Sequence, residues 1–268
     1  MFHWNRIFAV VLRQFYLMRG SLSRVLPLFV WVAVDIILWG FITRYLNSLT
    51  SSAFRFVPML LGAVLLYDFF IRVMQGVTMT FFEDVWSRNF LNVFSTPISI
   101  YEYVTGLVIS SIASSAIGLA VMFALASFAF GFSFFTYGAM LAPFLLILFL
   151  FGIALGIFAS AVVLRFGPAT EWFIWPIPAF ISPFAGVFYP ISTLPRWMQY
   201  VSIILPPSYV FEGVRKVVSG SEISGNSLLT GGLLAGLYII LSCWFFAWIY
   251  RQAVRSGLIA RYSAESVS

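Results

Sequence analysis

The chain has 268 residues, 62% of them hydrophobic and 9% charged, with a mean hydropathy of +1.00. A soluble domain carries roughly 25% charged residues, so this balance excludes a soluble globular fold and calls for lipid as solvent. One cysteine, Cys243, and one histidine, His3, exclude an intrachain disulfide and a zinc or redox cluster, and the net charge of +6 rests on dispersed arginines, which leaves no footprint for nucleic acid.

The first 24 residues are apolar but interrupted by Arg6, Arg13, Arg19 and Arg24. At helical spacing Trp4, Phe8, Val11 and Phe15 share a stripe, with Arg6 and Arg13 opposite. This predicts a helix lying in the membrane interface, rings toward the acyl chains and guanidinium groups toward headgroup phosphates; the plainer alternative is an extension of the first span. The arginines precede the first long apolar run, so no cleavable signal peptide is expected.

A helical span needs about 20 largely apolar residues. Six are predicted, over 26–46, 57–80, 104–130, 139–164, 171–191 and 228–250, in one all-α membrane domain covering residues 1–268. With both ends in the cytoplasm, that side holds the N-terminal arginines, Arg88, Arg165, Arg251, Arg255 and Arg261, against Arg44, Arg55, Arg196, Arg215 and Lys216 outside. The excess favours this orientation. The fifth segment carries Pro176, Pro178, Pro183 and Pro190, which break helical hydrogen bonding. Residues 194–219 are too polar for a further span and read as two short helices that dip into the outer leaflet and return.

Between spans two and three the chain runs from Glu83 to Pro97. At helical spacing Trp86, Phe90 and Val93 share one face, and Asp84, Arg88 and Asn92 the other. A short amphipathic helix is predicted there, fit either for a groove on a partner or for the lipid interface.

Charges inside spans are costly and usually paired or functional. Asp35 stands alone in span one. Asp68 and Arg72 lie four apart in span two, either as a self-neutralising pair or, with Asp35, along a polar path. Trp172, Phe173 and Trp175 at the fifth segment could stack on sugars, contact acyl chains or anchor the helix at the interface. Gly152 and Gly156, and Gly232 and Gly236, permit close helix packing. Ser110, Ser111, Ser114 and Ser115 bond either across helices or to their own carbonyls. Lys216, the single lysine, sits in Val214-Arg215-Lys216-Val217 and not in a GxxxxGK[ST] loop, so this sequence carries no Walker A motif. No catalytic motif is found.

Two ordered segments resemble the type-2 ABC exporter permeases, the group of drug-efflux and polysaccharide-export membrane subunits. The first is Arg88-Asn89-Phe90-Leu91 through Thr96-Pro97-Ile98, followed by Gly106; the second is Gly186-Val187-Phe188-Tyr189-Pro190, Leu194-Pro195 with Trp197, then Pro206, Tyr209, Gly213 and Arg215. The resemblance implies a six-span subunit paired with a second copy around a central path in the bacterial inner membrane. It implies a coupling helix bearing Trp86, Arg88, Asn89, Phe90 and Val93 on a separate P-loop ATPase, which would hold the ATP and Mg, and none on this chain. It places the re-entrant helices at Pro195 to Arg215. Asp35, Asp68, Arg72, Phe173 and Trp175 are then candidates for the translocation path. A different class of function, an ion- or proton-coupled carrier, would make Asp35, Asp68 and Arg72 its working charges.

Overall fold

The computed structural model describes residues 3–20, 22–49, 57–87, 90–222 and 224–257. It is helical, with no strand among the described residues. Among the described residues five helices are long and apolar enough to cross a membrane: Phe29–Leu49, Met59–Trp86, Ile100–Phe130, Phe134–Phe166 and Gly225–Arg255.

Helix α1 (Trp4–Arg19) turns at Gly20 into α2 (Leu22–Leu49). Helix α1 buries Ile7, Val10 and Gln14 and leaves Trp4, Phe8, Phe15 and Tyr16 outside. Helix α3 (Gly62–Trp86), entered through a π-helical turn over Val57–Leu61, is central and buried along most of its length. Small residues let its neighbours approach. A Cβ on Gly152 or Gly156 of α6 (Leu141–Phe166) would lie 2.9 or 2.7 Å from the Cβ of Val73 or Val77, and one on Gly76 would lie 2.5 Å from Ser111 Oγ of α5 (Ile100–Phe130). Gly232 and Gly236, by contrast, face open space. The serines of α5 divide: Ser111 Oγ donates across to Val73 O at 3.0 Å, while Ser110 and Ser114 bond within their own helix.

Helix α5 starts four residues before the predicted 104. Ser99 Oγ accepts from the Glu102 backbone N–H and the Glu102 carboxylate accepts from the Ser99 N–H, a capping box. Its 31 residues reach about 46 Å at 1.5 Å each, longer than the roughly 30 Å hydrocarbon layer. It ends at Gly131 in the left-handed region (φ 63°), which glycine adopts without a Cβ clash. The chain then tucks Phe132, Phe134 and Tyr137 back into the bundle before α6.

Two expectations change here. The helix expected across Trp86 to Phe94 is divided: α3 runs on to Trp86, the chain turns at Ser87, and α4 (Phe90–Ser95) is a separate short helix. Arg88 and Asn89 lie outside the described residues. The segment 171–191 is not one helix. Helix α7 (Glu171–Ile174) and α8 (Ile177–Ala185) are interrupted at Trp175-Pro176, where proline withdraws a donor, and α8 stops at Gly186 in the left-handed region (φ 63°). Helices α9 (Arg196–Ile204) and α10 (Pro206–Ser219) are the two short helices expected over 194–219, and α11 (Gly225–Arg255) closes the bundle against α6.

Candidate functional site

The densest polar construction lies where α1 crosses the end of α3 and the start of α5. Asp84, in the last turn of α3, is fully buried. Its Oδ1 is ion-paired with Arg13 of α1, and its Oδ2 accepts from the Tyr103 hydroxyl of α5 at 2.6 Å. The hydrogen bond to Asp84 raises the Arg13 guanidinium above its ordinary value against the opposing effect of burial, so Arg13 stays charged. One helix away, Glu102 is buried, accepts from the His3 backbone N–H at 2.9 Å, and lies 3.5 Å from Arg6 Nη1. Between these two ties, Gly106 lets α1 lie flat on α5: a Cβ there would fall 2.7 Å from Val10 Cβ.

Arg6 and Arg13 are therefore not directed at headgroup phosphates, as the helical wheel suggests. They turn inward because two buried carboxylates, out of reach of water, need cationic partners. Trp4 and Phe8 keep the expected outward exposure, at 72% and 63%. Asp84 likewise leaves the outer polar face of a loop helix, because α3 does not end before it. The knot clamps α1 to both helices that flank α4. Within that flank Trp86 is half-exposed and Val93 half-buried.

A second group of charges lies inside the bundle. Asp35 of α2 and Asp68 and Arg72 of α3 stand within range of one another's charge. They are not locked together: Asp68 Oδ2 and Arg72 Nε are buried with no hydrogen-bond partner among the described residues. Trp39 of α2 stacks on Phe188 (ring centroids 5.0 Å, 11° between planes), and Tyr67 meets Phe188 edge-on at 6.3 Å. Phe173 and Trp175 do not join this group. Phe173 is 78% exposed. The Trp175 indole donates to Glu171 Oε1 at 2.9 Å and lines a small apolar pocket with Met74, Thr78 and Phe82, further along α3.

The third construction ties α10 to the turn after α8. Glu212 Oε1 accepts from the Ile191 N–H at 2.7 Å and from Arg215 Nη2 at 3.0 Å. Arg215 in turn lies over Gly186, where a Cβ would sit 3.2 Å from its Nη2. Gly213 gives room for the Phe144 ring, 2.7 Å from where its Cβ would be. Tyr209 donates to Ile203 O at 2.7 Å, and Pro195 and Pro206 open α9 and α10. The five residues singled out between Pro195 and Arg215 are thus brought to one corner of the bundle. Nearby, α9, α10 and the start of α11 border an open cleft of about 230 Å³ lined by Gln199, Ser208, Glu212 and Lys216.

The profile of the ABC-2 type transporter family matches residues 6–218, most of the chain and, His3 apart, the three constructions. The chain belongs to the ABC-2 type transporter family. Among curated proteins, none matches it. It is a multi-pass membrane protein and a permease of that family, whose members generally work with an ATPase subunit.

Sequence reasoning about this permease missed Asp84 and Tyr103 as a knot, Glu102 as its second anchor and Glu212 as the tie between α10 and the turn after α8. Glu102 had a legible signal, since Ser99-Ile100-Tyr101-Glu102 has the spacing of a capping box. Asp84 had none: its cationic partner lies 71 residues away.

Proposed function

We propose that this permease is the membrane subunit of an ATP-driven exporter that carries a lipid, a glycan or a hydrophobic small molecule across the bacterial inner membrane. Two copies form the path, and a separate P-loop ATPase supplies ATP hydrolysis. Both termini lie in the cytoplasm. The ATPase docks at Trp86, Arg88, Asn89, Phe90 and Val93. The broken pair α7 and α8 completes a sixth crossing, and α9 with α10 forms the re-entrant segment at the outer face.

The observation that carries this reading is the knot. A push on the α3–α4–α5 corner cannot leave α1 behind, because Asp84 and Glu102 bind Arg13 and Arg6 across the contact. Such a clamp suits a subunit that receives force from outside the membrane and passes it to several helices at once.

The test is affinity purification of the chain in mild detergent with identification of co-purifying proteins, followed by reconstitution. A Walker A protein in roughly equal amount is expected. Trp86→Ala is expected to leave ATP hydrolysis running while transport falls. A chain that purifies alone, and transport that follows the proton gradient with no ATPase present, would replace this reading with the gradient-driven carrier.

A further inference from the structure

The charges inside the bundle are unequal. Asp35 of α2 and Asp68 and Arg72 of α3 lie within two helical turns of the Trp39 and Tyr67 rings that Phe188 joins, so two carboxylates share this level of the bundle with one guanidinium, and Arg72 can neutralise only one of them. Every other basic residue on the five long helices lies near a helix end. A second copy of this chain therefore has no free mid-span cation to offer. Asp68 keeps a buried oxygen with no hydrogen-bond donor among the described residues, and a buried acceptor of this kind calls for a donor from outside the chain, water included.

The surroundings specify what that donor resembles. Asp35 and Trp39 lie four apart on α2 and share a face; Tyr67 and Asp68 are adjacent on α3. Phe188 meets both Trp39 and Tyr67, so this ring cluster joins the stretches of α2 and α3 that carry the carboxylates. Aromatic faces attract cations, most strongly when water is excluded. Beside Asp35, the α2 residues Trp31, Val34, Ile37 and Leu38 are exposed on the single chain and give the group an apolar approach.

We propose that Asp35, Asp68, Arg72, Trp39, Tyr67 and Phe188 form a binding site for the cationic group of an amphiphile entering from the bilayer. Calling that amphiphile the cargo rests on the export reading; the site itself does not. A carboxylate pair with one shared guanidinium accepts one further positive charge, the rings hold its apolar substituents, and the apolar tail stays in lipid.

The test uses two probes of the same shape and opposite charge. The purified permease in detergent is titrated with radiolabelled tetraphenylphosphonium, with tetraphenylborate as competitor and protein-free micelles as blank. Saturable binding of tetraphenylphosphonium is expected, with no competition by tetraphenylborate. Asp68→Asn and Asp35→Asn, which keep side-chain size, are each expected to weaken binding about tenfold or more, and Glu222→Gln, at an exposed position after α10, is expected to leave it unchanged. Equal competition by tetraphenylborate, binding no greater than to empty micelles, or full affinity in both Asp variants would overturn the site. The wild-type comparison stands if either variant fails to fold. Cation binding without a co-purifying ATPase would keep the site and remove the export reading. An ATPase without saturable cation binding would do the reverse.

Discussion

Two groups of charged residues sit in this permease, and they are built in opposite ways. At the cytoplasmic corner of the proposed topology every carboxylate is answered: Asp84 by Arg13 and Tyr103, Glu102 by Arg6 and two backbone donors. Inside the bundle Asp68 and Arg72 share a helix and still leave polar atoms unanswered. Both arrangements cost desolvation, and only the first recovers it within the chain. Paired charges of this kind fix helices against one another. Unpaired ones are kept for something that comes and goes.

Single substitutions break or sharpen this contrast. The largest effect is expected at Asp84. Asp84→Ala strands a partly buried Arg13 and the Tyr103 hydroxyl, and removing one member of a buried pair costs about 3–5 kcal/mol. Asp68→Asn in the same thermal-unfolding assay in detergent is expected to be neutral or stabilising, because it removes a charge with no firm partner. Equal losses in the two variants would erase the distinction.

A middle-sized effect separates packed from unpacked small residues. Gly156→Ala drives a methyl to within 2.7 Å of Val77 Cβ and 2.9 Å of Met74 O and is expected to cost about 1–3 kcal/mol. Gly236→Ala meets open space and should stay within about 0.5 kcal/mol of the wild type. The smallest effect tests the start of α5. Ser99→Ala removes one arm of the capping box, worth about 1 kcal/mol, and leaves the Arg6–Glu102 tie in place.

Much of the helical frame was legible in composition and spacing. Apolar runs located α1, the five long helices and the short pair α9 and α10, because each is defined by its own local pattern. Gly152 and Gly156 announced close packing, but Gly232 and Gly236 carry the same spacing and face open space; spacing cannot say whether a neighbour is present. The segment 171–191 was apolar enough to read as a span, while its prolines cut it into α7 and α8. The site was less legible. Periodicity placed Asp84 on the outer face of a loop helix because nothing local marks where α3 ends, and Arg13 looked like a lipid-facing residue because its carboxylate partner is far away in sequence. Asp35, Asp68 and Arg72 were found by a different signal, charge within an apolar run, which needs no knowledge of the fold. Trp39, Tyr67 and Phe188 were invisible as a group among so many aromatic residues.

The most direct test measures ATP hydrolysis, transport and tetraphenylphosphonium binding together, in proteoliposomes holding the permease and its co-purified ATPase, for Arg13→Gln and Asp68→Asn. The two regions predict opposite failures. Arg13→Gln should bind the cation normally and hydrolyse ATP without moving cargo; Asp68→Asn should lose the cation while its helices still respond to ATP. Normal transport by Arg13→Gln, or the same defect in both variants, would contradict the division between a frame that transmits force and a cluster that holds the load.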